Sequence, residues 1–403
     1  MAVQISKETI AEELAREQRW DWLRYPGYAL LFALFLLLLL VVWFWPRYPY
    51  NPAVDLPWEV ERVNLMPLVE GVAKERGYFN INGPTVIRVP DWVKNPLGRY
   101  YMYFAHHKGS YIRLAYADHP EGPWRVHRRQ VMPLETSGFP VQMPRISEGA
   151  LDRLYDTFSL HVVRDYLLLQ YQAVVADPAE RKRRGFSEAA NRMTHVASPE
   201  IWIDELGKRL VMFYHGYDEL GSQSSRIATS TDGLDFTPTG GTVFSTYLRA
   251  FEYRGQFYLL GMPGVLYRAN SAEGPFKPRR RLLFQPDMRH AGLWLEGDTL
   301  HVFWSVVGYA PERILYSQVD LSSWDWDDWR ATTPAEVLAP ELKWEGVEVP
   351  VMPSLRGELD ILAHELRDPY LFVDEDGERY LYYVGGGEKA IGMVRLRDKP
   401  EDM

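Results

Sequence analysis

The sequence predicts an all-β fold, a five-bladed β-propeller, preceded by a single transmembrane α-helix. Three observations carry this expectation. Short, aromatic-rich runs of strand type recur at intervals of about 40 residues, a repeat length typical of propeller blades. No helix-type periodicity longer than about three turns interrupts them. One uncharged apolar run, Gly27 to Trp45, stands ahead of them all.

That run reads GYALLFALFLLLLLVVWFW, 19 residues. At about 1.5 Å per residue it matches a hydrocarbon core of roughly 30 Å. Trp20, Trp22, Tyr25 and Tyr28 lie before or at its start, and Trp43, Trp45, Tyr48 and Tyr50 at or beyond its end. Two aromatic belts at the membrane–water interfaces follow from this arrangement. A cleaved signal peptide fits less well, because the run is long and WFWPRYPYNP offers no small-residue cleavage site. Lys7, Arg16, Arg19 and Arg24 precede the span, against Arg47 and Arg62 soon after it. This bias places the N-terminus in the cytoplasm and the large domain in the periplasm or outside the cell.

Residues 1–26 form the expected cytoplasmic leader. Within it, Thr9 and Glu12 have the spacing of a capping box for a short amphipathic helix. Ile10, Leu14 and Trp20 would lie against headgroups or a partner, unless the leader is simply a solvated charged segment. Residues 46–76 contain five prolines and read as a linker, and residues 77–398 as the propeller.

Composition narrows the function. Hydrophobic residues make up 46% and charged residues 25%, as in ordinary folded proteins, while aromatics reach 14%. A net charge of -9 argues against nucleic acid as a partner. The absence of cysteine removes disulfides, thiolate metal sites and cysteine nucleophiles.

The five units share one order of parts. They comprise residues 84–124, 198–236, 248–276, 289–326 and 367–396. Each opens with an apolar strand and a tight turn, such as Glu205-Leu206-Gly207 or Glu375-Asp376-Gly377. An aromatic strand and a strand with small residues follow, and an outer turn often closes the unit, as in Glu121-Gly122-Pro123-Trp124 and Glu273-Gly274-Pro275-Phe276. Residues 125–197 form a long insertion whose basic run, Arg181 to Arg184, reads as a solvated loop. Trp324-Asp325-Trp326-Asp327-Asp328-Trp329 reads as a capped blade edge, with sugar or calcium binding as the alternative. Gly385-Gly386-Gly387 reads as a turn, and His106-His107 are neighbours that cannot share one metal on a regular strand.

The outer Glu-Gly-Pro-Trp turn and the strand pair around Asp374-Glu375-Asp376-Gly377 resemble the five-bladed propeller glycoside hydrolases, the arabinanase, xylosidase and fructosidase group. The resemblance covers roughly residues 78 to 398. It implies carboxylates at the starts of the innermost strands: an Asp, often before Pro, as general base, a second Asp that tunes it, and a Glu before Gly-Pro as general acid. Glycoside cleavage needs such a pair of carboxyl groups. The blade starts here read Asn82-Gly83-Pro84, Ser198-Pro199-Glu200, Arg249-Ala250, Arg289-His290 and Arg367-Asp368-Pro369, so only the fifth retains Asp-Pro. The catalytic candidates are Asp368, Glu200 and His290. The ligand-binding funnel is expected to hold Asn82, His106, His195, Arg249, His290 and Arg367, with His107 and His215 nearby. Arg367 and Asp368 would face opposite ways on a regular strand.

The leader, span and Trp-Pro-aromatic exit are also similar in layout to bacterial light-harvesting polypeptides. The first histidine is His106, however, so the span holds no imidazole for a pigment, and no cofactor or metal is expected. Two functions remain open. The incomplete carboxylate set favours a non-catalytic accessory subunit of a membrane complex, bioenergetic or photosynthetic, with the lipid bilayer and integral membrane proteins as partners. The alternative is a membrane-anchored periplasmic glycoside hydrolase or glycan-binding protein.

Overall fold

The computed structural model describes residues 28, 30–36, 50–70, 80–106, 109–142, 194–218, 223–357, 359 and 361–399. The chain divides into two compact units, residues 1–47 and 48–403. In the first, residues 30–36 are helical. Among the described residues, no helix is long and apolar enough to cross a membrane. Most of the run 27–45 lies outside the described residues, as do Trp20, Trp22, Tyr25, Trp43, Trp45 and the leader's capping box.

The second unit is the five-bladed propeller. Strands β1 (Trp58–Glu61) and β2 (Val69–Glu70) precede the first blade. Blade one comprises β3 (Asn82–Arg88), β4 (Tyr100–Ala105), β5 (Tyr111–Ala117) and β6 (Arg125–Val126), with β7 (Met132–Pro133) also on β5. Blade two comprises β8 (Ala197–Asp204), β9 (Arg209–Tyr217), β10 (Gln223–Ser230) and β11 (Thr237–Val243). Blade three comprises β12 (Thr246–Tyr253), β13 (Gln256–Met262), β14 (Val265–Ala269) and β15 (Lys277–Pro278). Blade four comprises β16 (Met288–Glu296), β17 (Thr299–Val306), β18 (Ile314–Asp320) and β19 (Ala335–Leu338). Blade five comprises β20 (Leu366–Val373), β21 (Arg379–Gly385) and β22 (Ala390–Asp398).

Blade five takes its outermost strand from the start of the domain. β1 pairs antiparallel with β22, from Trp58 opposite Asp398 to Glu61 opposite Arg395, and β2 adds to the same strand. Residues 46–76 are therefore not simply a linker: two of their segments complete the last blade and close the ring. Pairing hides the edge that β22 would otherwise present.

The aromatic content has a packing role. Blades diverge from the axis as wedges, and the gaps between neighbouring sheets need large side chains. Tyr101, Tyr103, Trp304, Tyr382 and Tyr383 are all nearly fully buried in these gaps. Between blades two and three, Val211 and Phe213 of β9 join Phe257 and Leu259 of β13 in one cluster. Each such side chain contributes about 1.5–3 kcal/mol through burial.

The tight and outer turns fall where the repeat predicts. Asp204 closes the β8–β9 turn by accepting the Gly207 N–H at 2.8 Å. The Glu-Gly-Pro turns sit between third and fourth strands, at the rim. There Glu121 pairs with Arg395 and Glu273 with Arg209, so neither Glu-Gly-Pro carboxylate reaches the axis. The 324–329 stretch is likewise structural. Asp325 caps a short 3-10 turn, Trp329 is buried, and Arg279 donates to the carbonyls of Asp327 and Trp329 at 2.9 Å each. The Arg181 to Arg184 run lies outside the described residues.

Candidate active site at the head of the inner strands

All five innermost strands begin with the same irregularity. The ladder to the second strand skips two residues: between Asn82 and Thr85, Ala197 and Glu200, Thr246 and Arg249, Met288 and Ala291, and Arg367 and Tyr370. The first skipped residues are Gly83, Ser198, Tyr247, Arg289 and Asp368. Four of these five have positive φ: Gly83 at 56°, Ser198 at 45°, Tyr247 at 54° and Asp368 at 50°. Left-handed backbone at non-glycine positions is costly and needs support from its surroundings. Here it brings five strand starts close to one another about the axis. A Cβ on Gly83 would lie 2.7 Å from the Ser198 Cα, so only glycine allows this approach.

The shared bulge corrects the sequence-based alignment of blade three. Its inner strand starts at Thr246-Tyr247, not at Arg249. Arg249 occupies the next ring inward with Thr85, Glu200, Ala291 and Tyr370. There its guanidinium donates to Thr85 Oγ1 and Glu200 Oε2 at 2.8 Å, to the Ala291 carbonyl at 2.7 Å and to the Pro84 carbonyl at 3.2 Å. Glu200 also accepts from Thr85 Oγ1 at 3.1 Å and from the Ala250 N–H at 3.1 Å. The Tyr370 ring faces Arg249 at 5.0 Å. Burial raises the Glu200 pKa, against the opposing effects of Arg249 and these hydrogen bonds. Arg249 and Glu200, expected in a funnel, instead form a saturated plug across the axis.

Asp368 has different company. Its Oδ2 accepts the Gly83 N–H at 2.8 Å, and its Oδ1 contacts His290 Nδ1 directly. Asp368 is fully buried, and His290 is 2% exposed. A carboxylate on Nδ1 sets the orientation of an imidazole and supports its positive charge, the arrangement required of a general base or acid. Tyr247 packs against His290 with ring centroids 3.6 Å apart and planes tilted by 39°, and the His215 ring lies 4.5 Å from that of Tyr247. His195 continues the row, 5.6 Å from His215. Burial, the largest cause, holds the Tyr247 phenol well above its ordinary pKa, so it stays neutral.

Arg367 is displaced from the expected funnel lining. It is wholly buried in an ionic cluster, donating to Glu365 at 2.8 Å and to Glu388 at 3.1 Å, with Glu312 at 3.7 Å. Burial alone would lower its pKa, but these three carboxylates hold it above the ordinary value. Arg289 shares Glu312 at 2.8 Å, and Asn80 donates to Glu388. Burial raises the Glu365 pKa, with Glu312 adding to the effect and Arg367 opposing it. The left-handed bulge removes the strict alternation expected of Arg367 and Asp368, since both side chains are buried at the same strand start.

The structure thus sets Asp368 against His290 and places Tyr247 between His290 and His215, with His195 next to His215, whereas Glu200 and Arg249 pair with each other and Arg367 is held in its ionic cluster. Asn82 is fully buried beside Gly83, and neither of its amide atoms has a hydrogen-bond partner among the described residues. His106 is buried just after β4, and His107 lies outside the described residues. Sequence reasoning missed Tyr247, Glu312, Glu365 and Glu388. Only Tyr247 had a signal, as the residue in register with Ser198 and Asp368. Among the described residues, no group of three or more His, Asp and Glu could hold a metal.

Comparison with known proteins places this geometry in a class of folds. The chain is a five-bladed propeller with structural neighbours among glycoside hydrolases. A glycosyl hydrolase from Bacteroides ovatus superposes with a TM-score of 0.54 at 10% identity, covering 88% of this chain and 98% of that one. A structure from the GH130 family of mannoside phosphorylases, described as containing glycoside hydrolases that target β-1,2 mannosidic linkages, gives 0.51 at 12% identity, covering 88% and 98%. In sequence, the chain is 29% identical to an uncharacterized protein of Acanthamoeba polyphaga mimivirus, over 93% of this chain and 98% of that protein. No family model matches the chain.

Proposed function

We propose that the propeller is a carbohydrate-active protein whose Asp368–His290 pair moves the proton in cleavage or transfer of a glycosidic bond. The observation that carries this reading is the Asp368 carboxylate at the bulged start of β20, accepting the Gly83 N–H and contacting His290 Nδ1. The Asn82 amide beside it, without a hydrogen-bond partner among the described residues, supports a polar ligand at this end of the axis, because buried amides without partners are rare. In the proposed reaction, His290 takes a proton from the attacking water or hydroxyl as that oxygen bonds to the anomeric carbon and the glycosidic C–O bond breaks; the departing oxygen takes up a proton from water, and Asp368 stabilises the imidazolium until it returns its proton to solvent. The likeness to glycoside hydrolases supports a glycan as substrate. The fit is to an imidazole–carboxylate mechanism, since Glu200 is tied to Arg249 and does not supply the second carboxyl group.

An accessory role in a membrane complex gains no support from these observations. The apolar run Gly27–Trp45 supports a tether that would hold the propeller at a bilayer, with the N-terminus cytoplasmic. Carbonate extraction of membranes from cells producing the full chain tests the tether, which release into the soluble fraction would exclude.

The catalytic reading is tested by screening the full chain against β-mannoside, xyloside, arabinoside and fructoside substrates, alongside Asp368→Asn and His290→Ala. Each substitution is expected to lower turnover about a hundredfold or more. Turnover indifferent to both, or none on any substrate class, would remove the proposal.

A further inference from the structure

The axis opens into a cavity at its other end. A cavity of about 550 Å³ opens beyond the Arg249–Glu200 plug, on the side where the inner strands end rather than begin. Its walls come from the later residues of β3, β8 and β20, and its inner end is lined by Glu200, Ala250 and Tyr370. The volume lies within the range of roughly 300–1,000 Å³ typical of small-molecule sites. It is separate from the Asp368–His290 pair, because the guanidinium of Arg249 and its partners fill the axis between them.

The lining has a definite chemical bias. Val86, Ile201, Leu293 and Phe372 make apolar walls, and Trp92 and Trp202 add indole surfaces. The charged residues of the lining are Asp91, Glu200, Glu205, Asp374 and Glu375, against Arg88 alone. Arg249 neutralises Glu200, and Arg88 is engaged with Glu375 at 2.9 Å and Asp374 at 3.7 Å. The mouth therefore carries an excess of negative charge. Glu205 also accepts the Trp92 indole N–H at 3.0 Å, which fixes a carboxylate and an aromatic ring side by side. An aromatic face next to a carboxylate attracts a cation, by ring quadrupole and by charge. A neutral sugar would find few polar partners on the aliphatic walls below.

We propose that this cavity binds a small organic cation with an apolar body, its ammonium group held between Trp92, Trp202 and Glu205 and its apolar part directed inward along the aliphatic walls. The site does not depend on the catalytic reading of the Asp368–His290 pair.

Calorimetric and tryptophan-fluorescence titration of the full chain with benzyltrimethylammonium tests it, with 3,3-dimethylbutan-1-ol and xylose as neutral comparators. Saturable binding of the cation is expected, with the comparators at least about tenfold weaker. Glu205→Gln and Trp92→Ala should each weaken the cation about tenfold, the scale of one such contact, while Asp368→Asn leaves it unchanged. Glu205 sits in an exposed turn, so Glu205→Gln remains informative even if Trp92→Ala fails to fold. Absence of saturation, preference for either neutral probe, or cation binding indifferent to Glu205→Gln would overturn the assignment.

Discussion

Two carboxylates lie near the propeller axis, two positions apart in the common register of the inner strands, and they have opposite fates. Glu200 sits in the ring that Arg249 closes, with both oxygens occupied by hydrogen bonds from side chains and backbone. Asp368 sits in the ring of bulged residues, with one oxygen on the Gly83 backbone and the other on His290. A buried carboxylate satisfied by a guanidinium is a structural element, and removing one partner strands the other. A buried carboxylate facing an imidazole has a partner that can itself gain or lose a proton. Chemical type and burial are nearly the same at the two positions, so the partner decides the role.

The sharpest way to break this contrast is Arg249→Met, which leaves Glu200 buried without its cation. We expect destabilisation of about 3–5 kcal/mol, read as a lowered urea midpoint with unchanged slope. Gly83→Ala attacks the bulged ring instead. It adds a Cβ against Ser198 at a left-handed position, and a loss of about 1–3 kcal/mol is expected from backbone strain of this kind. Asp368→Asn should cost less than Gly83→Ala, because asparagine tolerates left-handed φ and keeps an acceptor for the Gly83 N–H. Its melting temperature should stay close to that of the parent while turnover falls, whereas a large drop in melting temperature would make Asp368 structural like Glu200.

Glu365 adds a pH dependence. Its folded pKa is raised, so the folded state holds this proton more tightly than the unfolded chain. The stabilising contribution is complete below the ordinary value of 4.5 and is lost as pH rises through the folded value. The stability of Glu365→Gln relative to the parent should therefore improve as pH rises above 4.5, as followed by urea midpoints across a pH series. The smallest effect is expected at Trp324, which is 85% exposed at the rim. Trp324→Ala should change stability by no more than about 0.5 kcal/mol.

The repeat was legible in the sequence because aromatic strands and Gly-containing turns recur in one order, and those features are local. The site was legible only in part. Gly83, Ser198 and Asp368 each precede a proline, which marks their blade starts, and Asp368 stood out for that reason. Blades three and four have Leu248 and His290 where the others have proline, and the start of blade three was misplaced at Arg249, so Tyr247 went unnoticed. Glu312, Glu365 and Glu388 lie just outside regular strands, where no two-residue alternation marks a side chain as inward. Residues 46–76 read as a linker because β1 and β2 are short and gain a sheet only by pairing with β22.

That last pairing bears on how the ring assembles. Each blade's inner hairpins join segments close in sequence, but the closing strand meets a partner from the far end of the domain. Arg397 bonds Glu61 across 336 residues. The entropy lost in closing a loop grows with its length, and non-local pairings are the slow ones in folding. Blades one to four can each zip up within their own sequence, whereas blade five waits for both ends. Ring closure is therefore the expected final cooperative event, and loss of the Trp58–Asp398 register is expected to free the last blade before any other.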